Sequence, residues 1–89
     1  MKAKIVCLDM KHLTRSKQSR NSQKIYGYKD VSNHRKYNYY REGILSDIPR
    51  IILGRGVFVI YEKDKLVINK IKDLGVGVKT YMISIKKFS

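Results

Sequence analysis

The sequence predicts one α+β domain over residues 1–89, and three observations lead to this prediction. Apolar runs rich in β-branched residues recur along the chain, as in strands. Two other segments place apolar residues three and four positions apart behind a capping residue, as in helices. The resulting order is strand, loop, helix, strand, strand, helix, strand. It is the βαββαβ order of the ferredoxin-like fold, in which an antiparallel four-stranded sheet carries both helices on one face.

The strands are predicted from the apolar runs. Residues 50–61, RIILGRGVFVIY, form the densest run, and Gly54-Arg55-Gly56 divides it into strand, turn and strand, or into one bulged strand. Residues 4–10, KIVCLDM, are apolar on both sides, which is typical of an interior strand. Residues 76–85 alternate with both faces partly apolar, which favours an inner strand or a strand that faces a dimer partner.

The first helix is predicted to begin at Asp30 or Ser32, because either side chain can cap it. Pro49 ends it, since the residue before a proline is pushed out of the helical region. Residues at spacings of three and four form its apolar face: Tyr37, Tyr40, Ile44 and Ile48. We therefore expect Tyr37 and Tyr40 to lie in the core.

The second helix is predicted over residues 65–74, with Asp64 as its cap and Gly75 just past its end. An alternative stays open. Residues 57–61 and 66–71 are rich enough in strand-forming residues to make a hairpin around Lys63-Asp64.

The net charge of +13, from 20 Lys and Arg against seven Asp and Glu, is the strongest compositional signal. A polyanion relieves such self-repulsion, and nucleic acid is the usual polyanion. Residues 11–29 contain six basic residues and no acid, and their only aliphatic residues are Leu13 and Ile25. Such a segment buries too little surface to order itself, so a mobile basic loop is predicted over about residues 11–29.

Five of the seven tyrosines lie within residues 26–40, interleaved with Lys and Arg. Aromatic rings stack on unpaired bases while cations follow the phosphate backbone. Tyr26, Tyr28 and Tyr39 are the tyrosines expected to make such contacts. The predicted nucleic-acid-binding residues are Lys11, Arg15, Lys17, Arg20, Lys24, Tyr26, Tyr28, Arg35, Lys36 and Arg41. Their pattern contains no base-reading code, so weakly sequence-specific binding of DNA or RNA is expected.

Three stretches carry a resemblance to a known group of proteins. They are IVCLD at residues 5–9, HRKYNYYREGIL at residues 34–45 and RIILGRGVFVI at residues 50–60. In this pattern the chain resembles the small CRISPR-associated ferredoxin-fold nucleases and their relative, virulence-associated protein D. The resemblance implies a homodimer and a metal-dependent nuclease, in which Asp9 is the candidate catalytic residue and holds a metal ion between two subunits.

Other interpretations of the candidate catalytic residues stay open. Mg²⁺ takes hard oxygen ligands and keeps several waters, which suits Asp9, but an acid at a strand end also caps a turn or pairs with a lysine. A neutral histidine can accept the 2′-hydroxyl proton in RNA cleavage. His12 and His34 are the only histidines, and the alternative for both is a solvated residue in polar surroundings. Gly54-Arg55-Gly56 is either a plain turn or one whose amides approach a phosphate.

Composition excludes several classes of protein. No apolar run is long enough to span a membrane, and no signal-peptide pattern opens the chain. The single cysteine, Cys7, excludes an internal disulfide framework, so a cytoplasmic protein with a buried, inert thiol is expected. No cofactor is expected, except Mg²⁺ if the chain is a nuclease. The leading hypothesis is a nucleic-acid-binding protein, and the alternatives are the nuclease and a protein-binding adaptor whose basic loop folds on an acidic partner.

Overall fold

The computed structural model describes residues 1–32 and 37–86. The chain folds as an α+β protein with two helices, and a short 3-10 helix, Glu62–Asp64, precedes the second of them. In chain order the elements are β1 (Lys2–Asp9), α1 (Arg15–Tyr26), β2 (Tyr28–Ser32), β3 (Tyr37–Arg41), β4 (Arg50–Gly54), β5 (Val57–Tyr61), α2 (Leu66–Lys72) and β6 (Gly77–Ser84).

The main sheet has four strands in the order β4-β5-β1-β6, and every neighbouring pair is antiparallel. The predicted four-stranded antiparallel sheet is therefore confirmed. The run at residues 50–61 forms a hairpin, so the strand-turn-strand alternative is confirmed and the single bulged strand is wrong. The hairpin has a register shift between Ile52 and Gly54. The first strand, β1, is interior as its apolar pattern predicts, because it pairs with β5 on one side and with β6 on the other.

The largest buried cluster lies on one face of this sheet. Val6 of β1 is opposite Phe58 of β5, and partner residues in an antiparallel pair point to the same face. Both side chains are fully buried in a single cluster. The helices contribute Ile25 from α1, and Val67, Ile68 and Ile71 from α2, to the same cluster. Both helices therefore contribute buried side chains to the cluster that contains Val6.

The basic loop predicted over residues 11–29 is wrong for residues 15–26, which form α1. The Thr14 side chain caps the helix by accepting a hydrogen bond from the Lys17 amide at 3.3 Å. Gly27 ends it with a φ of 82°, and its amide donates to the Gln23 carbonyl. Only Asn21 and Ile25 are buried on α1, so tertiary contacts and caps order a helix that lacks a continuous apolar face.

The helix predicted from Asp30 or Ser32 to Pro49 is also wrong. Within that segment, β2 and β3 form a separate two-stranded antiparallel hairpin. Tyrosine favours strands, and a short strand followed by a turn produced the same spacing as a helix. Tyr40 was expected in the core but is 60% exposed, while the side chain of Tyr37 lies outside the described residues. Leu45, in the turn that follows, is fully buried in the core.

The hairpin is tied to the end of α1 by backbone hydrogen bonds. The amides of Ile44 and Leu45 donate to the carbonyls of Lys24 and Ile25 at 2.8 and 3.0 Å. These are carbonyls of the last helical turn, which otherwise lack partners within the helix. The approach leaves no space for a side chain at Gly43, because a Cβ atom there would lie 2.5 Å from the Ile25 carbonyl oxygen.

The second helix is confirmed over the hairpin alternative, because residues 66–72 form α2. It is shorter than the predicted 65–74, and the predicted Asp64 cap is wrong, because Lys65 is at the N-cap position and makes no side-chain capping hydrogen bond. Two contacts join the residues that follow it to the N-terminal part of the chain. The Asn21 side-chain amide lies 3.4 Å from the Leu74 carbonyl, and His12 Nε2 lies 2.8 Å from the Gly75 carbonyl. In the described part of the chain neither helix is long and apolar enough to cross a membrane.

The close approach at Gly43 predicts that Gly43→Ala destabilises the fold by about 1–3 kcal/mol, the usual cost of inserting atoms where backbone must move. Gly54→Ala is the matched control, because a Cβ atom there meets nothing within 4 Å. Its effect should stay within about 0.5 kcal/mol. Urea unfolding followed by circular dichroism measures both. Equal stability of the two variants would contradict the tight junction between α1 and the hairpin.

Candidate nucleic-acid interface

Three of the predicted phosphate-contacting residues lie together on the solvent side of α1. Lys17, Arg20 and Lys24 follow one another at spacings of three and four, so they share one side of the helix. All three side chains are exposed, whereas the buried residues Asn21 and Ile25 are on a different side. We call these three residues the basic ridge.

The charges of α1 oppose helix formation. Its twelve residues include Arg15 and the basic ridge but no acid. Like charges three and four residues apart repel one another, and cations in the first turn face the positive end of the helix dipole. A bound polyanion would reverse both effects. The helix therefore has an electrostatic reason to bind phosphate.

Lys11 and Arg15 precede the basic ridge in the chain, and both are exposed. Lys11 is in the turn after β1, and its backbone amide donates to Asp9 Oδ1 at 3.0 Å. Arg15 is the first residue of α1 and belongs to another side of the helix. It follows a spacing of four, three and four with Ser19, Ser22 and Tyr26.

That side of α1 forms one wall of a groove whose other wall is the turn between β4 and β5. The groove has a volume of about 840 Å³, within the range of ligand-binding clefts. Arg55, at the tip of the turn, adds a second guanidinium group to the lining that Arg15 contributes. Arg55 was not among the predicted site residues.

Tyr26 joins the groove to the core. Its ring packs edge-on against Phe58, with ring centroids 6.1 Å apart and an interplanar angle of 86°. Burial raises the pKa of the Tyr26 hydroxyl above its usual value of 10.0, and the backbone of Gly56 offsets part of this rise. The hydroxyl is therefore a proton donor at neutral pH, yet it is buried and makes no hydrogen bond of ordinary geometry to the described residues.

The hairpin brings together two of the other predicted residues. Tyr28 is directly opposite Arg41 in the pair formed by β2 and β3, and both are exposed. On the same hairpin, Tyr40 donates a hydrogen bond from its hydroxyl to the Tyr26 carbonyl at 3.2 Å. Arg35 and Lys36, together with the side chain of Tyr39, lie outside the described residues.

Asp9 makes a local turn. It ends β1 opposite Gly77, is exposed, and accepts the Lys11 amide described above. This is the turn-capping alternative for Asp9. Within residues 1–32 and 37–86, no three side chains of His, Cys, Asp or Glu come together as metal ligands would.

The histidines give no further indication of catalysis. His12 is exposed, and its Nε2 is within hydrogen-bonding distance of the Gly75 carbonyl, which can only accept. Nε2 therefore carries the proton. His34 lies outside the described residues. Cys7 is half-buried on the sheet face that points away from the helices.

No family model, curated protein or solved structure matches the chain. The resemblance to the CRISPR-associated nucleases and virulence-associated protein D therefore stays a prediction.

The repulsion along the basic ridge predicts that Arg20→Glu stabilises the protein. The new carboxylate lies three residues after Lys17 and four before Lys24, so two repulsive pairs become attractive. We expect a gain of roughly 1 kcal/mol at low salt, which shrinks at about 1 M salt because the Debye length falls to about 3 Å. Arg20→Gln, which only removes the repulsion, should gain about half as much. Urea unfolding at both salt concentrations checks this, and a loss of stability at low salt would refute the like-charge arrangement.

Proposed function

We propose that this chain is a cytoplasmic nucleic-acid-binding protein of weak sequence specificity, and that the basic ridge is the centre of its interface. The observation that supports this most directly is the exposed row of Lys17, Arg20 and Lys24 on a helix without an acid. Lys11 and Arg15 extend the positive surface at the start of the helix. Tyr28 and Arg41 extend it on the hairpin, which starts two residues after α1 ends.

The mechanism of binding is electrostatic. Each cation that neutralises a phosphate releases a condensed counterion, so affinity falls as salt rises. Contacts of this kind position a strand without reading its bases. Exposed tyrosines on the hairpin, Tyr28 and Tyr40, offer rings for stacking on unpaired bases, which favours single-stranded over duplex ligands.

The fold that we propose for this function is ferredoxin-like. Counting only the strands of the main sheet in chain order, the spatial order is fourth, first, third and second, and all pairs are antiparallel. One helix follows the first of these strands and the other follows the third, as in a βαββαβ unit. The β2–β3 hairpin is then an insertion between α1 and the second strand of the sheet.

We also propose that two copies pair through the sheet face that points away from the helices. One cross-strand row on that face runs through all four strands and is wholly apolar or aromatic: Ile51, Val59, Ile5 and Tyr81. Its ends are open, since Ile51 is 41% and Tyr81 56% exposed. An apolar row marks an interaction surface, and in a chain of charge +13 it is a place where two copies meet without repulsion. The same face on both copies makes a two-fold interface.

The alternatives receive less support from the described residues. A nuclease acting through Asp9 requires that carboxylate to hold Mg²⁺, and among the described residues no cluster of three potential ligands forms around it. The protein-binding adaptor was based on a basic loop that folds on its partner, whereas residues 15–26 are already helical.

The dimer proposal predicts that Tyr81→Lys lowers the apparent mass in solution from that of two chains to that of one. Met82→Lys is the control, because it adds the same charge to the adjacent exposed residue, which alternation along β6 places on the other face. Light scattering coupled to size-exclusion chromatography gives the mass. A wild-type protein that stays monomeric at every concentration, or two variants that dissociate equally, would overturn this interface.

The binding proposal predicts that replacing Lys17, Arg20 and Lys24 with Gln reduces the salt dependence of binding. The slope of log affinity against log salt is negative, and its magnitude should decrease by roughly 2 on a single strand and by about 2.7 on duplex DNA. Fluorescence anisotropy between about 50 and 200 mM salt measures this slope. The control carries the same charge change on exposed lysines of and beside α2: Lys65, Lys70 and Lys72.

An equal decrease of the salt slope in the two triple variants would mean that binding depends on net charge and not on the basic ridge. A wild-type affinity that does not change with salt concentration would refute the electrostatic mechanism. Adding Mg²⁺ and inspecting the probes on a gel tests the nuclease alternative at the same time. Cleavage of the probe by the wild-type protein in Mg²⁺, without cleavage by Asp9→Ala, would favour that alternative.

A further inference from the structure

The groove between α1 and the β4–β5 turn combines two kinds of surface. On its polar side, Arg15 of α1 and Arg55 of the turn contribute guanidinium groups from elements that are distant in sequence. Ser19 and Ser22 add hydroxyl groups, and none of the residues that line the groove is acidic. Two guanidinium groups with hydroxyls and no carboxylate suit a doubly charged anion, because arginine binds phosphate through paired hydrogen bonds.

On its apolar side, the groove has Met10 and Ile52, and the ring of Tyr26. Ile52 is 49% exposed although it is on the sheet face that carries the core. A simple inorganic anion would leave this apolar surface in water. A nucleotide covers it, since the flat face of its base is apolar while its phosphate is charged.

The Tyr26 hydroxyl is a third indication. It is buried in the groove lining and lacks a hydrogen bond of ordinary geometry to the described residues, which costs free energy in the unliganded protein. Because the hydroxyl is buried, an acceptor oxygen in the groove satisfies it only after a shift of the Tyr26 ring. We propose that the groove binds a nucleotide that ends in a phosphomonoester, with Arg15 and Arg55 on the phosphate.

The charge of the site favours a terminal phosphate over an internal one. A phosphomonoester carries about −1.5 to −2 at neutral pH, whereas an internal phosphodiester carries a single charge. The same chemistry has two sources, which are the phosphorylated end of a strand held on the basic ridge and a free nucleoside monophosphate. The first source rests on the proposed function, and the second does not.

The test compares four ligands by fluorescence anisotropy with the full-length chain. Labelled single strands of one sequence carry either a phosphate or a hydroxyl at the unlabelled end, and unlabelled AMP and adenosine serve as competitors. Isothermal titration calorimetry measures the direct binding of AMP and adenosine. We expect the phosphorylated strand to bind about tenfold more tightly, since a charged hydrogen-bonded contact is worth that factor or more. AMP, and not adenosine, should then abolish the difference.

Arg55→Gln should remove the preference for the phosphorylated strand and bind the hydroxyl strand as Arg50→Gln does. Arg50 begins β4, is exposed, and does not line the groove, so Arg50→Gln should keep the preference. Tyr26→Phe should weaken the preference, because it removes the hydroxyl that would donate to the ligand. Circular dichroism confirms that each variant is folded.

The outcomes separate this inference from the proposed function. If both strands bind with a steep salt dependence but equally well, the groove inference is wrong and the proposed function stands. If neither strand binds while AMP binds in an Arg55-dependent way, the groove takes free nucleotides and the proposed function fails. If no phosphorylated ligand is preferred in any arm, or if Arg50→Gln loses the preference as Arg55→Gln does, the groove inference is overturned.

Discussion

The fold depends on the insertion of β1 between β5 and β6. Each residue of β1 from Ala3 to Cys7 has one partner on each side, and those partners come from the second half of the chain. The sheet is therefore incomplete until residues 57–84 have been brought to the N-terminus, so the packing of the core against the sheet depends on these long-range pairs. One side of β1 then supports the helices through Val6, and the other side contributes Ile5 to the apolar row that we propose as a dimer interface.

The second constraint is the junction of α1 with the hairpin. Gly27 turns the chain out of the helix with a positive φ, and Gly43 lets it return against the last helical turn. The amides after Gly43 then complete the helix end. Both ends of the hairpin are therefore held at the end of α1. The β2–β3 pair, with its exposed Tyr28 and Arg41, comes directly after the helix that carries the basic ridge. A polar helix and a tyrosine-rich segment therefore become one candidate surface through backbone geometry.

The sequence predicted the elements whose stability comes from apolar side chains. β-branched runs indicated strands at residues 50–61 and 4–10, and a regular apolar face indicated the helix α2. It did not predict α1, because the signals for that helix were a Thr14 cap, the Gly27 stop and the spacing of the basic ridge, all of which are polar. The spacing of tyrosines in residues 37–48 imitated a helix. For the site, charge alone identified the cations of α1, but Arg55 joins Arg15 only through tertiary structure.

The charge on α1 links stability to function. A helix that places four cations in twelve residues gives up stability, and the caps at Thr14 and Gly27 and the buried Ile25 offset that loss. A ligand that binds only the folded state stabilises it by mass action. If phosphate occupies the basic ridge and the groove, it removes the repulsion on two sides of the same helix, and it also satisfies the Tyr26 hydroxyl. A helix that repels itself in the free protein then gains stability from binding, which is the thermodynamic behaviour expected of a binding element and not of a scaffold.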